Sequence, residues 1–227
     1  VNTVTTAPSG PESQTVNLPN GWSMFSTYMI PENTALDQLL SSVVDEVIIA
    51  KDYLGAAYLP EFNFNGVGDI QVGQGYQIKM SSEQNLVVDG EYAFPEDNPI
   101  SFYSCWNMIG YLRIDAAPAD LVIAQLVNNN NLIIAKDFLG AAYLPEFNFN
   151  GIGDLNPGRG YQIKTNTDGI LELLSNDISY RISSHKAFIN KTNFFTKPTI
   201  TDKNMTLVLN LNNFKKLSEN IEIAAFD

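Results

Sequence analysis

Apolar and polar residues follow one another along this chain at two spacings, one typical of short helices and one typical of strands. Asn33 and Thr34 are candidate N-caps of a first helix. Its apolar face would be formed by Leu36, Leu39, Leu40 and Val43. A second helix of the same kind is predicted to hold Pro118 in its first turn. Its apolar face would be formed by Ala119, Val122, Ile123 and Leu126.

Short β-branched or alternating segments surround each helix and predict strands. In the first half of the chain these segments are residues 22–28, 47–50, 76–80 and 86–88. In the second half they are residues 106–112, 132–135, 161–164 and 170–173. Both halves therefore follow one order: strand, helix, strand, aromatic loop, strand, strand.

The two halves contain copies of one sequence. Residues 48–79 and 133–164 align without a gap, and 26 of the 32 aligned positions are identical. Upstream of this segment, Trp22 corresponds to Trp106. Self-similarity at a fixed offset is the signature of a repeated structural unit. We therefore expect two repeat units with the same backbone, and the near-identity of their aromatic loops would be explained if each loop were buried against its twin.

The predicted fold class is α+β: two tandem β-rich repeats with one short helix each, related by a pseudo-twofold axis and followed by the start of a β-sandwich-like module. The expected boundaries are a linker or extended segment at 1–15, a first repeat unit at 16–97, a second at 98–178, and a β segment of a further, truncated module at 179–227. The strand-like run at the end of the chain indicates a fragment of a longer protein.

Charge and composition exclude several classes of function. The chain has 25 Asp and Glu against 13 Lys and Arg, a net charge of −12. Nucleic acids are bound by basic surfaces, so no nucleic-acid partner is expected. A spanning helix needs about 20 apolar residues, and no such run occurs, so membrane insertion is not expected either. One Cys and one His are too few for a zinc site of nitrogen and sulfur ligands.

The pattern Lys-Asp-x-x-Gly-x-x-Tyr-Leu-Pro-Glu-x-x-Phe-Asn-Gly-x-Gly, followed by Gly-x-Gly-Tyr-Gln-Ile-Lys, occupies residues 51–79 and again 136–164. With the upstream Trp, it resembles a tandem module of secreted and cell-surface proteins of marine Bacteroidetes and of virion-associated proteins of aquatic viruses. The tail 204–227 resembles the opening of a β-sandwich-like module that follows such repeats. The resemblance implies an extracellular, cell-surface or virion-surface setting, and it carries over no catalytic residue.

The aromatic loop spaces oxygen donors in the manner of a calcium-binding EF-hand loop. Val72 and Pro157, however, stand where that loop requires a bidentate Glu. The structural alternative is a tight turn with positive φ at Asn-Gly, from which the phenylalanines pack inward. We expect no cofactor, with calcium as the alternative. The candidate metal ligands are Glu61, Asn63, Asn65 and Asp69, with their copies Glu146, Asn148, Asn150 and Asp154.

Sugar binding is a second candidate chemistry, because aromatic faces flanked by amides and carboxylates suit a sugar ring. The aromatic candidates are Trp22, Tyr58, Phe62, Tyr76 and their copies. Both tryptophans, however, begin predicted core strands, and we expect them to be core anchors. The Lys-Asp pairs would alternatively form salt bridges at strand ends. The candidate ligand-binding residues are Lys51, Asp52, Tyr58 and Glu61, with Lys136, Asp137, Tyr143 and Glu146.

No catalytic residue is predicted, since the chain has neither a Gly-x-Ser-x-Gly elbow nor a phosphate-binding Gly loop. The expected function is that of a non-enzymatic structural or adhesive module of an extracellular, cell-surface or virion-surface protein. Its expected partners are other protein subunits or surface glycans. The alternative is a bivalent glycan-binding or calcium-dependent binding module.

Overall fold

The structure, a computed structural model, describes residues 10–176 of the chain. It is rich in short strands, and its helices are few and short. The first half contains β1 (Ser13–Leu18), β2 (Gly21–Phe25), β3 (Met29–Ile30), β4 (Val47–Lys51), β5 (Ala57–Leu59), β6 (Phe64–Asn65), β7 (Tyr76–Met80), β8 (Gln84–Asp89) and β9 (Glu91–Tyr92). The second half contains β10 (Ile100–Phe102), β11 (Cys105–Gly110), β12 (Ala117–Pro118), β13 (Leu132–Lys136), β14 (Ala142–Leu144), β15 (Phe149–Asn150), β16 (Asp154–Leu155), β17 (Gly160–Thr165) and β18 (Gly169–Leu171). The predicted β segment at 179–227 lies outside the described residues.

Each half of the chain forms a five-stranded antiparallel sheet. The first sheet has the strand order β2-β7-β4-β5-β6 and the second the order β11-β17-β13-β14-β15. Their registers also correspond, since Trp22 pairs with Lys79 and Trp106 pairs with Lys164. The stretch predicted to be an aromatic loop is therefore not a loop throughout, because β5 and β6, like β14 and β15, extend the sheets.

Along the chain, the helices lie between the first and second strands of each five-stranded sheet, that is, between β2 and β4 and between β11 and β13. They are α1 (Leu36–Leu39), continued by a 3₁₀ helix at Ser41–Glu46, then α2 (Ala119–Val122) and α3 (Ala124–Asn128). Their predicted apolar faces are confirmed, since all eight residues named above are buried. The predicted caps are wrong: Ala35 is the N-cap of α1, and Pro118 precedes α2 as its N-cap. Among the described residues, no helix is long and apolar enough to span a membrane.

The inner faces of the sheets form the core. Ile78 and Ile163, in the central positions of β7 and β17, are fully buried. The hydroxyl of Tyr76 accepts a hydrogen bond from the Gln71 backbone N–H at 2.7 Å. Burial raises the pKa of Tyr76 to about 12, and burial raises the pKa of Tyr161 as well. Both phenols therefore stay neutral in the folded protein at ordinary pH.

A strand also occupies part of the segment predicted to be a linker. Residues 13–15 belong to β1, which pairs with β8 along its whole length. The side chain of Gln14 is buried, and its carbonyl accepts hydrogen bonds from the Thr27 hydroxyl and the Tyr28 N–H, each at 2.9 Å. This part of the N-terminal segment is therefore a packed edge of the first repeat.

Backbone contacts join the two sheets: the last residues of β2 and β11 meet the residues that precede β17 and β7. Phe25 forms an isolated antiparallel bridge with Arg159, and Gln74 forms one with Ile109. The described residues all belong to one compact unit. We call these contacts the junction; its backbone hydrogen bonds run from Ser26 N–H to Gly158 O, from Gly110 N–H to Gly73 O and from Gly75 N–H to Met108 O.

Three glycines permit the close approach at the junction, namely Gly75, Gly160 and Gly110, whose Cβ would lie 2.9 Å from the carbonyl oxygen of Gln74. A Cβ on Gly75 would lie 2.7 Å from the carbonyl oxygen of Ile109 and 3.2 Å from the Cα of Gly160. A Cβ on Gly160 would lie 2.9 Å from the carbonyl oxygen of Phe25. These glycines, two of which precede the Tyr-Gln-Ile-Lys segments, and not the aromatic loops, therefore make the close contact between the repeats.

Candidate functional site

The outer faces of the two sheets expose the tryptophans. Successive residues of a strand point to opposite faces of a sheet. Trp22 pairs with Lys79, whose neighbours Ile78 and Met80 point into the core. Trp22 is 48% exposed, and Trp106 is 43% exposed. The prediction that both are core anchors is wrong, because the register places each indole on the same face as a lysine.

Each indole lies beside two lysine ammonium groups. The Nζ atoms of Lys51 and Lys79 lie 5.5 Å and 5.9 Å from the ring centroid of Trp22. In the second repeat, the two corresponding distances to the Trp106 ring are 5.6 Å and 5.8 Å. At these distances an ammonium group is attracted to the face of an indole. We call these two clusters the Trp–Lys faces; they consist of Trp22, Lys51 and Lys79, and of Trp106, Lys136 and Lys164.

The aspartates of the Lys-Asp pairs bind the backbone. Oδ1 of Asp52 accepts hydrogen bonds from the N–H groups of Leu54 at 2.9 Å and Ala56 at 2.8 Å. Its copy Asp137 accepts the two equivalent hydrogen bonds, and burial raises the pKa of this carboxyl group. The salt-bridge interpretation is therefore wrong: the carboxylate closes the turn after β4, and the Lys51 ammonium lies at the indole.

The phenylalanines of the aromatic segment point outward. Tyr58 pairs with Asn65 and is buried, so the adjacent pair of Leu59 and Phe64 occupies the outer face. Phe62 is 69% exposed and Phe64 53% exposed, and their copies Phe147 and Phe149 are also exposed. The prediction that these rings pack inward, at an interface between the repeats, is wrong.

The tyrosines and glutamates among the candidate ligand-binding residues are either buried or far from the tryptophans. Tyr58 and Tyr143 are buried, as is Tyr76, so none of them offers a free aromatic face. Glu61 and Glu146 are exposed in 3₁₀ helices between β5 and β6 and between β14 and β15. These helices lie toward the sheet edges opposite β2 and β11, the strands that carry the tryptophans.

In the candidate calcium loop, the side chain of Asn65 is engaged in hydrogen bonds to the turn and to α1. Positive φ occurs at Asn63 and Gly68 (48° and 75°), and not at the predicted Asn-Gly pair. Oδ1 of Asn65 accepts a hydrogen bond from the Gly68 N–H at 2.9 Å, and its amide group donates one to Asp37 at 2.6 Å. In the part of the chain that the structure describes, no group of three or more His, Cys, Asp or Glu is placed to hold a metal ion. The hydrogen bonds of Asn65 to Gly68 recur at Asn150 and Gly153.

A cavity of about 250 Å³ lies where the outer faces of the two sheets meet. The first repeat lines it with Lys51, Gln77 and the turn 52–55. The second repeat lines it with Trp106 and Gln162, among other residues. Each glutamine precedes an inward isoleucine and therefore points outward, as the lysine two positions later does. We call this cavity, together with the two Trp–Lys faces, the groove.

The sequence interpretation missed Lys79, Lys164 and the two glutamines. A signal for them was present, because the alternation in Tyr-Gln-Ile-Lys places Gln and Lys on one face of the strand and Tyr and Ile on the other. No protein-family model matches the chain, and neither a curated protein nor a solved structure is significantly similar to it. Its function is therefore inferred from the groove.

Proposed function

We propose that the two repeats form a non-enzymatic adhesive module of an extracellular, cell-surface or virion-surface protein, and that this module binds surface glycans at its two Trp–Lys faces. The observation that carries the proposal is the duplication of the site. The ammonium-to-indole distances of the first repeat, 5.5 Å and 5.9 Å, recur as 5.6 Å and 5.8 Å in the second.

Sugar rings fit the chemistry of such a face. An exposed indole offers a flat apolar surface on which the C–H face of a sugar ring can stack, while its polar edge stays accessible to water. The side chains of Gln77 and Gln162, partly exposed in the groove, supply both donors and acceptors for sugar hydroxyls. A few polar groups around an apolar platform are typical of small-molecule sites.

The charged groups at the indoles favour binding over catalysis. A lysine side chain beside an aromatic ring forms a cation–π contact, which is a binding arrangement. The half-buried carboxylate of Asp137 is occupied by two backbone N–H groups. Two equivalent sites on one chain suit adhesion, because linked sites raise the overall affinity for a repetitive surface.

We also propose that a pseudo-twofold axis relates the two repeats. Phe25 in the first repeat corresponds to Ile109 in the second, and Gln74 corresponds to Arg159. The bridge from Phe25 to Arg159 is therefore repeated, with the two repeats interchanged, by the bridge from Ile109 to Gln74. The hydrogen bonds from Ser26 to Gly158 and from Gly110 to Gly73 form a second pair of this kind. Such reciprocal contacts are what an isologous interface produces, and they support the proposed axis.

The test is a titration of the chain with oligosaccharides selected on an immobilised glycan panel. We expect two sites per chain for short oligosaccharides. Trp22→Ala and Trp106→Ala should each remove one site, and the double variant should remove both. The matched controls are Val87→Ala and Ile170→Ala, which truncate exposed apolar residues of β8 and β18 outside the five-stranded sheets. Unchanged binding by the double tryptophan variant, with an intact melting transition, would contradict the proposal.

A further inference from the structure

The lysines of the described region are concentrated in the groove. Residues 10–176 contain six Lys and Arg against 20 Asp and Glu. The four lysines of this range are Lys51, Lys79, Lys136 and Lys164, and each lies within 6 Å of an indole centroid. An acidic domain that places all four of these lysines at two indoles concentrates its lysine charge there, and such a concentration favours an anionic ligand at these faces.

Both lysines of each face lie at the same indole. Lys51 and Lys79 are on neighbouring strands, and the Nζ atoms lie 5.5 Å and 5.9 Å from the Trp22 ring centroid. Like charges gathered at one ring repel each other, and a carboxylate or sulfate bound beside them would offset that repulsion with charge-assisted hydrogen bonds. A sugar that carries such a group would place its ring on the indole and its anion beside the lysines.

The cavity at the junction connects the two faces. Lys51 belongs to the anion site of the first repeat, and Trp106 belongs to the platform of the second, yet both line the same cavity of about 250 Å³. Gln77 and Gln162 also line it, one from each repeat. A ligand seated in this cavity would therefore contact one member of each face, Lys51 of the first and Trp106 of the second.

A linear glycan fits this groove better than other polyanions do. A peptide usually adds to a sheet by pairing with the main chain of an edge strand, whereas the groove is formed by side chains on sheet faces. A nucleic acid carries one phosphate in every nucleotide and requires an extended basic surface. Here there are only four lysines, in a region with 20 Asp and Glu, which suits a polymer whose charges are spaced by uncharged ring atoms.

We infer that the groove binds a single strand of an acidic polysaccharide, carboxylated or sulfated, which passes over both Trp–Lys faces and across the junction. This inference rests on the proposed glycan-binding function and narrows its ligand. Both repeats would then contribute residues to one binding site.

Calorimetric titration with defined oligomers tests the inference. The carboxylated probe is a series of oligogalacturonates of increasing length, with the fully methyl-esterified oligomers as the uncharged control on the same backbone. The sulfated probe is dextran sulfate, with dextran as its control. We expect at least a tenfold preference for one charged probe over its control, and an affinity that falls as salt is added. Short oligomers should bind two per chain and long oligomers one per chain.

Variants locate the ligand within the groove. Lys51→Gln and Lys136→Gln should each weaken binding of the charged oligomer about tenfold, whereas Lys51→Arg should retain most of it. For the long oligomer, the losses caused by Lys51→Gln and Trp106→Ala should depart from additivity, because both side chains would contact one ligand.

The outcomes separate the inference from the function on which it rests. Equal affinity for charged and uncharged oligomers would overturn the acidic ligand and leave glycan binding intact. Two long oligomers per chain, with additive losses, would overturn the passage across the junction. Binding of a polyphosphate or an acidic peptide in preference to every glycan would overturn the ligand class, and with it the proposed function.

Discussion

The junction predicts a specific sensitivity to one added methyl group. In Gly75→Ala the new Cβ would lie 2.7 Å from the Ile109 carbonyl oxygen and 3.2 Å from the Gly160 backbone. Both contacts are with backbone of the other repeat, so the sheets must separate to make room. Overpacking of this kind costs about 1 to 3 kcal/mol, and the reduced entropy of the unfolded chain offsets about 0.4 to 1 kcal/mol of it.

We therefore expect Gly75→Ala to lower the free energy of unfolding by about 1 to 2 kcal/mol, or the melting temperature by about 5 °C for a unit of this size. Gly160→Ala should have a similar effect. Their double variant should depart from additivity by more than about 0.5 kcal/mol, because the two backbones are in direct contact.

The measurement is thermal and urea denaturation followed by circular dichroism. Gly66→Ala is the control within one repeat: its Cβ would meet the exposed ring of Phe64 at 2.8 Å, which can turn aside, and the carbonyl oxygen of Ala57 at 3.0 Å, and both of these contacts lie inside the first repeat. We expect it to lose less than half as much stability. If Gly75→Ala and Gly160→Ala melt within about 1 °C of the wild type and their effects simply add, the junction does not hold the repeats together and the pseudo-twofold proposal loses its support.

Three further predictions concern the core, the tyrosines and the turn. Ile78→Ala, in the fully buried core, should cost about 3 to 4 kcal/mol in urea denaturation, whereas the half-exposed Trp22→Ala should cost about 1 to 2 kcal/mol; the reverse ranking would return Trp22 to the core. The pKa of Tyr76 rises from 10.0 to about 12 on folding, so its contribution to stability is present below pH 10 and is lost as the pH rises from 10 to 12. Tyr76→Phe should therefore make the alkaline decline in melting temperature shallower. An unchanged decline would rule out this contribution. Calcium should shift the melting temperature by less than about 1 °C, and a rise of several degrees that Asp69→Ala with Asp154→Ala abolishes would show that the turn binds calcium.

Strands and helices were accessible to sequence reasoning because their patterns are local. The apolar faces of α1 and α2 and the alternation of β7 and β17 can be read within ten residues, and the structure places those residues as expected. The outward position of Trp22 depends on its pairing with Lys79 of β7. That register is set between strands that are distant in sequence. The position of each tryptophan at the start of a predicted core strand therefore gave the wrong answer.

Part of the candidate site could be predicted from local sequence motifs, and part of it depends on pairing between distant strands. Lys51 and Lys136 were candidates from their motif, but their partners Lys79 and Lys164 become neighbours only through the sheet. Gly75 and Gly160 were visible as Gly-x-Gly, which suggested turns. Their role in a close approach requires a second segment of chain that no local pattern specifies.

The identity of β7 and β17 has a consequence for how the chain reaches its native pairing. Both strands carry Tyr-Gln-Ile-Lys after a Gly. Either of them therefore offers β2 the same residues to pair with. Closing the longer loop from β2 to β17 costs only about 0.8 kcal/mol more entropy than closing the loop to β7. Proximity along the chain thus gives the correct partner a modest kinetic advantage, and strand exchange within one chain or between two chains competes with it. Slow synthesis and dilution favour the native pairing of β2 with β7. Refolding at high concentration favours domain-swapped assemblies.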